Sequence, residues 1–359
     1  MTENRILIVG ATGLVGAAAS EYFSNLPGWE VVTLSRRPPR HGRPVHHISV
    51  DLTDEGDCRA AFRQAPPVTH ILYAALYEEE DLATGWRSNT QAGINLKMLR
   101  NVVEGVEEAA DLRHLTVLQG GKAYGSHLGR VPVPAKERWP RMSHDIFYWQ
   151  QEDYLRQHSA EKGWSFSILR PQLILGDALG SPMNICAALG VYASVMRDLG
   201  RPLCFPGGGN YVTACADSRL IAHAAEFCFT HPDAAGETFN VVNGDATVWR
   251  DIWPAFAAHF RMEVGADVQM KLSDEMPKFS GRWEEIVRRE GLQALSMQQV
   301  VGASWQTADL TWGYGKDRPF DRLMSPIKLR QAGFEDCLDT EDAILHWLSR
   351  FQEQGILPR

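Results

Sequence analysis

The sequence of 359 residues contains no apolar run long enough to cross a membrane. A bilayer-spanning helix needs about 18 or more consecutive apolar residues, and every apolar stretch here is shorter. The first residues, MTENRILIVG, also lack the basic region, apolar core and cleavage site of a secretory signal peptide. These absences predict a cytoplasmic protein without a membrane partner.

Basic charge and patterned cysteines are scarce as well. The net charge is −8, whereas nucleic-acid-binding domains generally carry a basic excess, so no nucleic-acid partner is expected. The six cysteines are scattered without a C-x-x-C pair, and the twelve histidines form no H-x-x-x-H pattern. This spacing predicts buried thiols in a reducing compartment, and neither a disulfide framework nor a metal site.

The first distinctive feature that is present is a glycine-rich turn after a short apolar run. Arg5 to Val9 has the pattern of a strand buried on both faces of a parallel sheet, and a helix-like segment follows at Ala17 to Leu26. The glycines between them would permit, in chain order, a tight turn, close approach of a pyrophosphate, and close packing of the helix on the strand. The alternative is a structural turn without a nucleotide. The candidate phosphate-binding residues are Gly10, Thr12, Gly13, Leu14, Val15 and Gly16.

The end of the second predicted strand, Trp29 to Leu34, bears on the choice of cofactor. Ser35, Arg36 and Arg37 follow it, and no acidic residue stands between positions 31 and 43. An acidic residue there would bind the ribose 2′-hydroxyl of NADH, whereas arginine accommodates the 2′-phosphate of NADPH. NADPH is therefore the predicted cofactor, with a solvated basic loop as the alternative.

Asp51 and Leu52 follow the third predicted strand, His47 to Val50. Asp51 is a candidate for binding the adenine amino group of the cofactor. An equally open alternative makes Asp51 a helix N-cap or a turn residue, with Thr53 or Asp54 as the true cap.

The stretch from Leu118 to Asp153 is where the chemistry is predicted. It follows an apolar strand, His114 to Leu118, through a glycine-rich loop that carries Lys122, and it closes on a helix that carries Tyr148. Loops at the carboxyl edge of a parallel sheet are where α/β proteins bind ligands, so Lys122 and Tyr148 are predicted as a catalytic pair beside a nicotinamide cofactor. The alternatives are a core tyrosine and a solvated lysine.

Small residues after the fourth predicted strand, His70 to Ala75, would let the cofactor lie close to backbone. The acidic run that comes next, Glu78 to Asp81, is expected to be a solvated loop. The predicted cofactor contacts after the fourth and fifth strands are Ala74, Ala75, Leu76, Gln119 and Gly120.

Several segments of the chain resemble one known family. They are GATGLVG, SRRPP, LQGGKAYG, PVPAKERWPR, FYWQQED, RPQLILG with PMN, and NGDATVW followed by IWP. On these motifs the chain is similar to the extended short-chain dehydrogenase/reductases, and specifically to the progesterone 5β-reductase/iridoid synthase-like branch. The resemblance covers residues 5–260, with KLRQAGF near the end fitting too, whereas residues 265–321 match only loosely.

One departure from ordinary members of that superfamily is informative. Most carry Y-x-x-x-K, but here Tyr148 is followed at that spacing by Glu152, which would raise the tyrosine pKa rather than lower it. The resemblance implies that the loop after the fifth strand supplies the lysine, as in the reductase branch, and Lys122 matches it. Gly120 and Gly121 stand where extended members usually have Ser or Thr.

The resemblance implies an NADPH-dependent reductase of the activated C=C bond of an α,β-unsaturated carbonyl compound, its small-molecule partner. Hydride would add to the β-carbon, Tyr148 would donate to the enolate oxygen, and Lys122 would keep the phenol in a donating state. The alternatives are a carbonyl reductase or sugar-nucleotide epimerase/dehydratase, and a non-catalytic NADP sensor; a homodimer is left open. By the same resemblance, the nicotinamide carboxamide would be contacted by Pro171, Leu173 and Ile174.

The predicted fold class is α/β, a Rossmann-like doubly wound parallel sheet with a smaller C-terminal substrate-binding cap. The NADP-binding domain is predicted over residues 1–175 and completed by about 213–245. The cap is predicted over residues 176–212 and 246–359, with an aromatic core.

Overall fold

The computed structural model describes residues 4–40, 45–79, 85, 86, 88–144 and 146–359, and the chain divides into two compact units. The first unit comprises Met1–Gln172, Ser218–Val241 and Met324–Asp336. The second comprises Leu173–Asp217, Val242–Leu323 and Cys337–Arg359. The sequence prediction assigned residues 324–336 to the cap, whereas they pack with the first unit.

Strands in the described residues form two parallel sheets, the larger of seven strands in the order β3-β2-β1-β4-β5-β6-β9 and the smaller of β7 with β8. All neighbours in the large sheet are parallel, which confirms the predicted doubly wound fold class. The strands are β1 (Asn4–Val9), β2 (Trp29–Leu34), β3 (His46–Ile48), β4 (His70–Tyr73), β5 (His114–Leu118), β6 (Ser165–Pro171), β7 (Leu173–Leu175), β8 (Cys215–Asp217) and β9 (Thr238–Val241).

Helices follow most strands of the large sheet, as parallel connections usually require, and β2 is joined to β3 without one among the described residues. None of the described helices is both long and apolar enough to cross a membrane. The α-helices are α1 (Leu14–Asn25), α2 (Glu55–Gln64), α3 (Asn89–Glu107), α4 (Phe147–Lys162), α5 (Ile185–Asp198), α6 (Ser218–Thr230), α7 (Trp249–His259), α8 (Leu272–Glu275), α9 (Ser280–Glu290), α10 (Met297–Val301), α11 (Ser304–Thr311), α12 (Ile327–Gln331) and α13 (Thr340–Glu353).

The strand order of the large sheet reverses at β1, which pairs with β2 on one side and with β4 on the other. Val9 at the end of β1 lies opposite Leu34 of β2 and Tyr73 of β4. In open parallel sheets the crevice for a ligand lies outside the carboxyl ends of the strands at such a reversal. The turn after β1 and the loop after β4 therefore meet where a ligand is expected.

The second unit has an aromatic core, as predicted. The indoles of Trp253 and Trp312 meet edge to face with ring centroids 5.3 Å apart, and both side chains are almost fully buried. Helix α5 is buried along nearly its whole length, because it is apolar on every side. Asn184 caps this helix by accepting the backbone N–H groups of Cys186 and Ala187, both at 3.1 Å.

Two buried histidines are paired across the large sheet, His70 on β4 and His114 on β5. Burial lowers the pKa of His70 to about 4 and that of His114 to about 3. Because both values lie below the ordinary histidine pKa of 6.5, the unfolded chain binds these protons more tightly. Their contribution to stability is complete above the ordinary pKa and is lost as the pH falls toward the folded values. We expect each histidine to remove on the order of 1–3 kcal/mol from the free energy of unfolding between about pH 7 and pH 4.

Denaturant titrations at neutral and acidic pH would measure this loss, with a His114→Asn variant beside the unmodified chain. The variant should lose less stability on acidification, since it has one buried imidazole fewer to protonate. Exposed His46 provides the matched control, His46→Asn. Equal acid sensitivity of the His114→Asn variant and the unmodified chain would contradict the expectation.

Candidate active site

The turn after β1 has glycine where no other residue fits. Gly10 has φ +85°, and a Cβ there would lie 2.8 Å from backbone atoms of Ala74 and Ala75. A Cβ on Gly16 would lie 2.7 Å from the carbonyl carbon of Gly10. Gly16 therefore lets the first turn of α1 close on the glycine turn itself, rather than on the strand as the sequence suggested. Gly13 is the N-cap of α1 without a side-chain cap, so the helix N–H groups stay available to a phosphate.

A depression of about 380 Å³ lies at the ends of β2 and β3 in the first unit. Its lining includes exposed Arg36 and Asp51, and the Ser35 hydroxyl donates to the Arg37 carbonyl at 2.6 Å. An arginine at this position suits a 2′-phosphate.

Asp51 has a local structural role in addition to its place beside this depression. Its Oδ1 accepts the Thr53 N–H at 2.9 Å and the Thr53 hydroxyl at 2.8 Å, and the backbone bond is the main cause of its lowered pKa. Asp54 is the N-cap of α2 and accepts from the Asp57 N–H. Of the alternatives that the sequence left open, the turn role for Asp51 and the cap role for Asp54 are confirmed, and adenine binding by Asp51 stays a prediction. Leu52 is buried, and its carbonyl accepts from Asn101.

The loop after β4 carries the predicted residues Ala74, Ala75 and Leu76, and α3 braces it. The Asn95 amide accepts the Tyr77 N–H and donates to the Tyr77 carbonyl, each at 2.9 Å. Because Asn95 is fully buried, this pair of hydrogen bonds fixes the path of the loop.

The acidic run that follows is not simply solvated, contrary to expectation. Glu78 Oε1 accepts the Trp86 indole N–H at 3.0 Å. Burial raises the Glu78 pKa, and the Lys122 charge and the Trp86 hydrogen bond oppose this rise. Residues 80 and 81 of the run lie outside the described residues.

Tyr148 is in the first turn of α4, with only 7% of its surface exposed. Its hydroxyl lies 3.5 Å from the position that a Cβ on Gly120 would take, and that Cβ would also lie 3.3 Å from the Pro171 carbonyl oxygen. Burial raises the Tyr148 pKa above the usual range for tyrosine; the Glu78 carboxylate raises it further, and Arg170 opposes both. The phenol is therefore a proton-bearing donor throughout the physiological pH range, held where the loop after β5 meets the end of β6.

Lys122 lies in a short 3-10 helix, Gly121–Tyr124, that follows β5. Its Nζ stands 3.3 Å above the centroid of the Trp86 ring, and the Trp86 ring lies 5.7 Å from the Tyr148 ring. Lys122 and Tyr148 thus contact the same indole, and the lysine charge acts on Glu78. Sequence reasoning missed both Trp86 and Glu78, because neither belongs to the motifs on which it relied.

Glu152 faces arginines, which corrects the expectation drawn from its spacing. Its carboxylate contacts Arg156 at 2.8 Å, Arg141 at 3.1 Å and Arg170 at 3.7 Å. Burial opposes its ionisation, yet the hydrogen bonds from Arg156 and Arg141 outweigh burial and lower the Glu152 pKa. The carboxylate that raises the Tyr148 pKa is Glu78 instead.

The three residues predicted to contact the carboxamide do not fall in one unit. Pro171 ends β6 in the first unit, whereas Leu173 and Ile174 belong to β7 in the second. A joint contact of all three with one ligand stays a prediction. Within the described part of the chain, no group of three or more His, Cys, Asp or Glu side chains could hold a metal ion.

Curated relatives match the chain along its whole length. An (S)-8-oxocitronellyl enol synthase from Nepeta cataria is 31% identical over 375 residues, which cover 98% of this chain and 91% of that protein. A 3-oxo-Delta(4,5)-steroid 5-beta-reductase from Arabidopsis thaliana is 30% identical over 377 residues, which cover 99% and 94%.

Solved structures show the same fold at much lower identity. A UDP-glucose 4-epimerase from Thermotoga maritima superposes with a TM-score of 0.69 at 14% identity, covering 97% of this chain and 99% of that one. One from Thermus thermophilus, in complex with NAD, superposes with a TM-score of 0.66 at 19% identity and the same coverage. The family model for a PRISE-like Rossmann-fold domain matches residues 51–294. The chain therefore belongs to the PRISE-like Rossmann-fold family, among the enzymes of the short-chain dehydrogenase/reductase superfamily.

Proposed function

We propose that this protein reduces the activated C=C bond of α,β-unsaturated carbonyl compounds with NADPH. The observation that carries the proposal is the buried Tyr148 hydroxyl, a neutral donor between the Gly120 loop and the end of β6. The two curated relatives are named as an enol synthase and as a reductase of a 3-oxo-Δ4,5 steroid, and an enol or enolate is the product of conjugate hydride addition.

The nucleotide end of the proposed cofactor site fits a dinucleotide phosphate. The glycine turn and the uncapped start of α1 offer backbone N–H groups to a pyrophosphate. Arg36 beside the depression offers a guanidinium to the 2′-phosphate. When bound, NADPH supplies the hydride that adds to the β-carbon of the substrate.

The residues of the chain act on the oxygen end of the substrate. Negative charge develops on the carbonyl oxygen as the β-carbon accepts hydride, and the Tyr148 O–H donates a hydrogen bond to that oxygen. The raised pKa of Tyr148 keeps the proton on the phenol, so the residue stabilises the enolate as a donor. Lys122 adds a positive charge to the same wall of the site, oriented by the Trp86 ring. The α-carbon then takes its proton from solvent or from a relayed donor.

An assay with NADPH and 2-cyclohexen-1-one tests this function directly. Cofactor oxidation is followed by absorbance, and the organic product is identified by mass spectrometry. A saturated ketone supports the proposal, whereas an allylic alcohol indicates a carbonyl reductase. Tight NADPH binding without turnover of a panel of enones would indicate a non-catalytic sensor.

The cofactor preference can be tested at Arg36. We expect Arg36→Ala to raise the KM for NADPH by about 10–100-fold and to change the KM for NADH by no more than about twofold, since only NADPH carries the 2′-phosphate. Arg63→Ala on α2 is a charge-matched control at an exposed position that does not line the depression. Equal losses for both cofactors in the Arg36 variant would argue against 2′-phosphate binding there.

Two further statements remain predictions from the sequence. Cytoplasmic location is one, and association into a homodimer is the other.

All six cysteines are free thiols, and four of them are buried.

A further inference from the structure

A buried polar network lies directly behind Tyr148 in the first unit, and we call it the Glu152 network. It comprises Glu152, Arg170, Gln119 and the backbone carbonyl of Tyr148. The Gln119 amide donates to the Tyr148 carbonyl at 3.3 Å, and its oxygen accepts from Arg170 Nε at 2.9 Å. Arg170 in turn faces Glu152 Oε2 at 3.7 Å. The three side chains are 5–6% exposed.

The Glu152 network joins the three segments that hold the predicted chemistry. Gln119 is in the loop after β5, directly before Gly120. Arg170 is in β6, directly before Pro171. Glu152 lies one helical turn after Tyr148 on α4. Since the Tyr148 hydroxyl lies beside Gly120 and the Pro171 carbonyl, a shift of any of these segments would move the donor relative to its surroundings.

Charge balance makes Glu152 the residue that keeps this network in place. A buried guanidinium without a counter-charge is strongly unfavourable, and among the described residues Glu152 places a carboxylate oxygen 3.7 Å from Arg170. Arg141 and Arg156 bind the other oxygen, Oε1, which leaves Oε2 directed at Arg170. Oε2 is buried and accepts no hydrogen bond, so its interaction with Arg170 is one of charge.

Aromatic rings hold Arg170 in the same orientation. Its guanidinium carbon lies 5.1 Å from the centroid of the Tyr124 ring and 5.6 Å from that of the Trp149 ring. The Tyr124 hydroxyl donates to Asn240 on β9 at 2.7 Å, which anchors that ring to the sheet. The two rings, the Gln119 oxygen and the Glu152 carboxylate therefore surround the Arg170 guanidinium.

We propose that Glu152 is a positioning residue for the reduction, which acts through Arg170 and Gln119 on the placement of Tyr148. The inference rests on the proposed function. Other short-chain dehydrogenases have a lysine at this helical position. Here the position holds a carboxylate, which affects the tyrosine indirectly, through Arg170 and Gln119. Glu152 itself touches neither substrate nor cofactor in this scheme.

The test compares Glu152→Gln with Asp153→Asn in the full chain. Gln keeps the size of Glu152 but removes the charge that faces Arg170. Asp153 is the matched control, because it is an adjacent carboxylate that binds Arg141 at 2.6 Å and lies outside the network. We expect Glu152→Gln to lower kcat for 2-cyclohexen-1-one by about 10-fold or more, with the KM and Kd for NADPH within about threefold. Asp153→Asn should keep kcat within about twofold of the unmodified value.

A second variant separates positioning from folding. Gln119→Glu keeps an acceptor for Arg170 but removes the donor to the Tyr148 carbonyl, and it should lower kcat similarly even if Glu152→Gln does not fold. If the network acts as one unit, the double variant should lose less activity than the product of the two single losses. A purely structural role would instead give losses in melting temperature without a selective loss of kcat.

These measurements distinguish a failure of the proposed function from a failure of the positioning role of Glu152. Unmodified protein without turnover would overturn the proposed function, and this inference with it. Active unmodified protein together with a Glu152→Gln variant of unchanged kcat would overturn this inference alone. Equal losses in the Glu152 and Asp153 variants, or fully independent effects of Glu152 and Gln119, would do the same.

Discussion

A Tyr148→Phe variant should reduce 2-cyclohexen-1-one with a kcat about 10²–10³-fold below that of the unmodified protein, because removing one oxyanion donor has an effect of that size. The phenyl ring would remain packed against Phe147 and Trp86, whose rings lie 4.6 Å and 5.7 Å from it. Folding and NADPH binding should therefore be retained. Steady-state cofactor oxidation measures kcat, and a fluorescence titration measures the Kd for NADPH.

Tyr154 on the same helix supplies the matched control. It stacks on His158 with ring centroids 4.9 Å apart, away from Gly120, so Tyr154→Phe should leave kcat unchanged.

Lys122→Ala, like Tyr148→Phe, should lower kcat, since it removes the cation that lies over Trp86. If both the Tyr148 and Lys122 variants retain full activity, the proposed catalytic pair is wrong.

A Gly16→Ala variant should lose both stability and cofactor affinity. The added Cβ would meet the carbonyl group of Gly10 and the Cα of Ala11, and these are backbone atoms that cannot rotate away. Overpacking of this kind costs about 1–3 kcal/mol or more. The turn would have to open, which also displaces the N–H groups proposed for the pyrophosphate. We expect a lower melting temperature and a Kd for NADPH at least about 10-fold higher.

Gly93→Ala on α3 is the control for this substitution. A Cβ at Gly93 would meet nothing within 4 Å, so alanine there should raise stability slightly through its better helix propensity. Thermal unfolding with and without NADPH compares the two variants. A Gly16→Ala variant as stable as Gly93→Ala, with unchanged NADPH affinity, would show that the turn tolerates a side chain.

Local features of this protein were readable from residue order. A continuous apolar run at β1 predicted a buried parallel strand, since a strand covered on both faces must be apolar at consecutive positions. The apolar residues Leu115, Val117 and Leu118 predicted the end of another buried strand at β5. The glycines after β1 predicted a tight turn, and at Gly10 a positive φ and a close backbone contact both exclude a side chain. Asp54 could be named as a possible helix cap because capping involves only the next few residues.

The environment of Tyr148 was not readable in the same way. The sequence correctly showed that Glu152 replaces the usual lysine. The predicted effect of Glu152 on the Tyr148 pKa was wrong, because Arg141, Arg156 and Arg170 surround its carboxylate. Glu78 was expected in solvent, yet Trp86 binds it and its charge acts on Tyr148.

Residue order alone was sufficient for the Rossmann-like architecture and for the positions of its turns, because these depend on periodicity and on the conformational limits of single residues. Folding was needed to decide which charges face the catalytic tyrosine and which residues brace it. The pKa of a buried group depends on every charge and dipole packed around it, including those from distant segments. Gln119, Glu152 and Arg170 come from the loop after β5, from α4 and from β6, and only the folded sheet brings them together beside Tyr148.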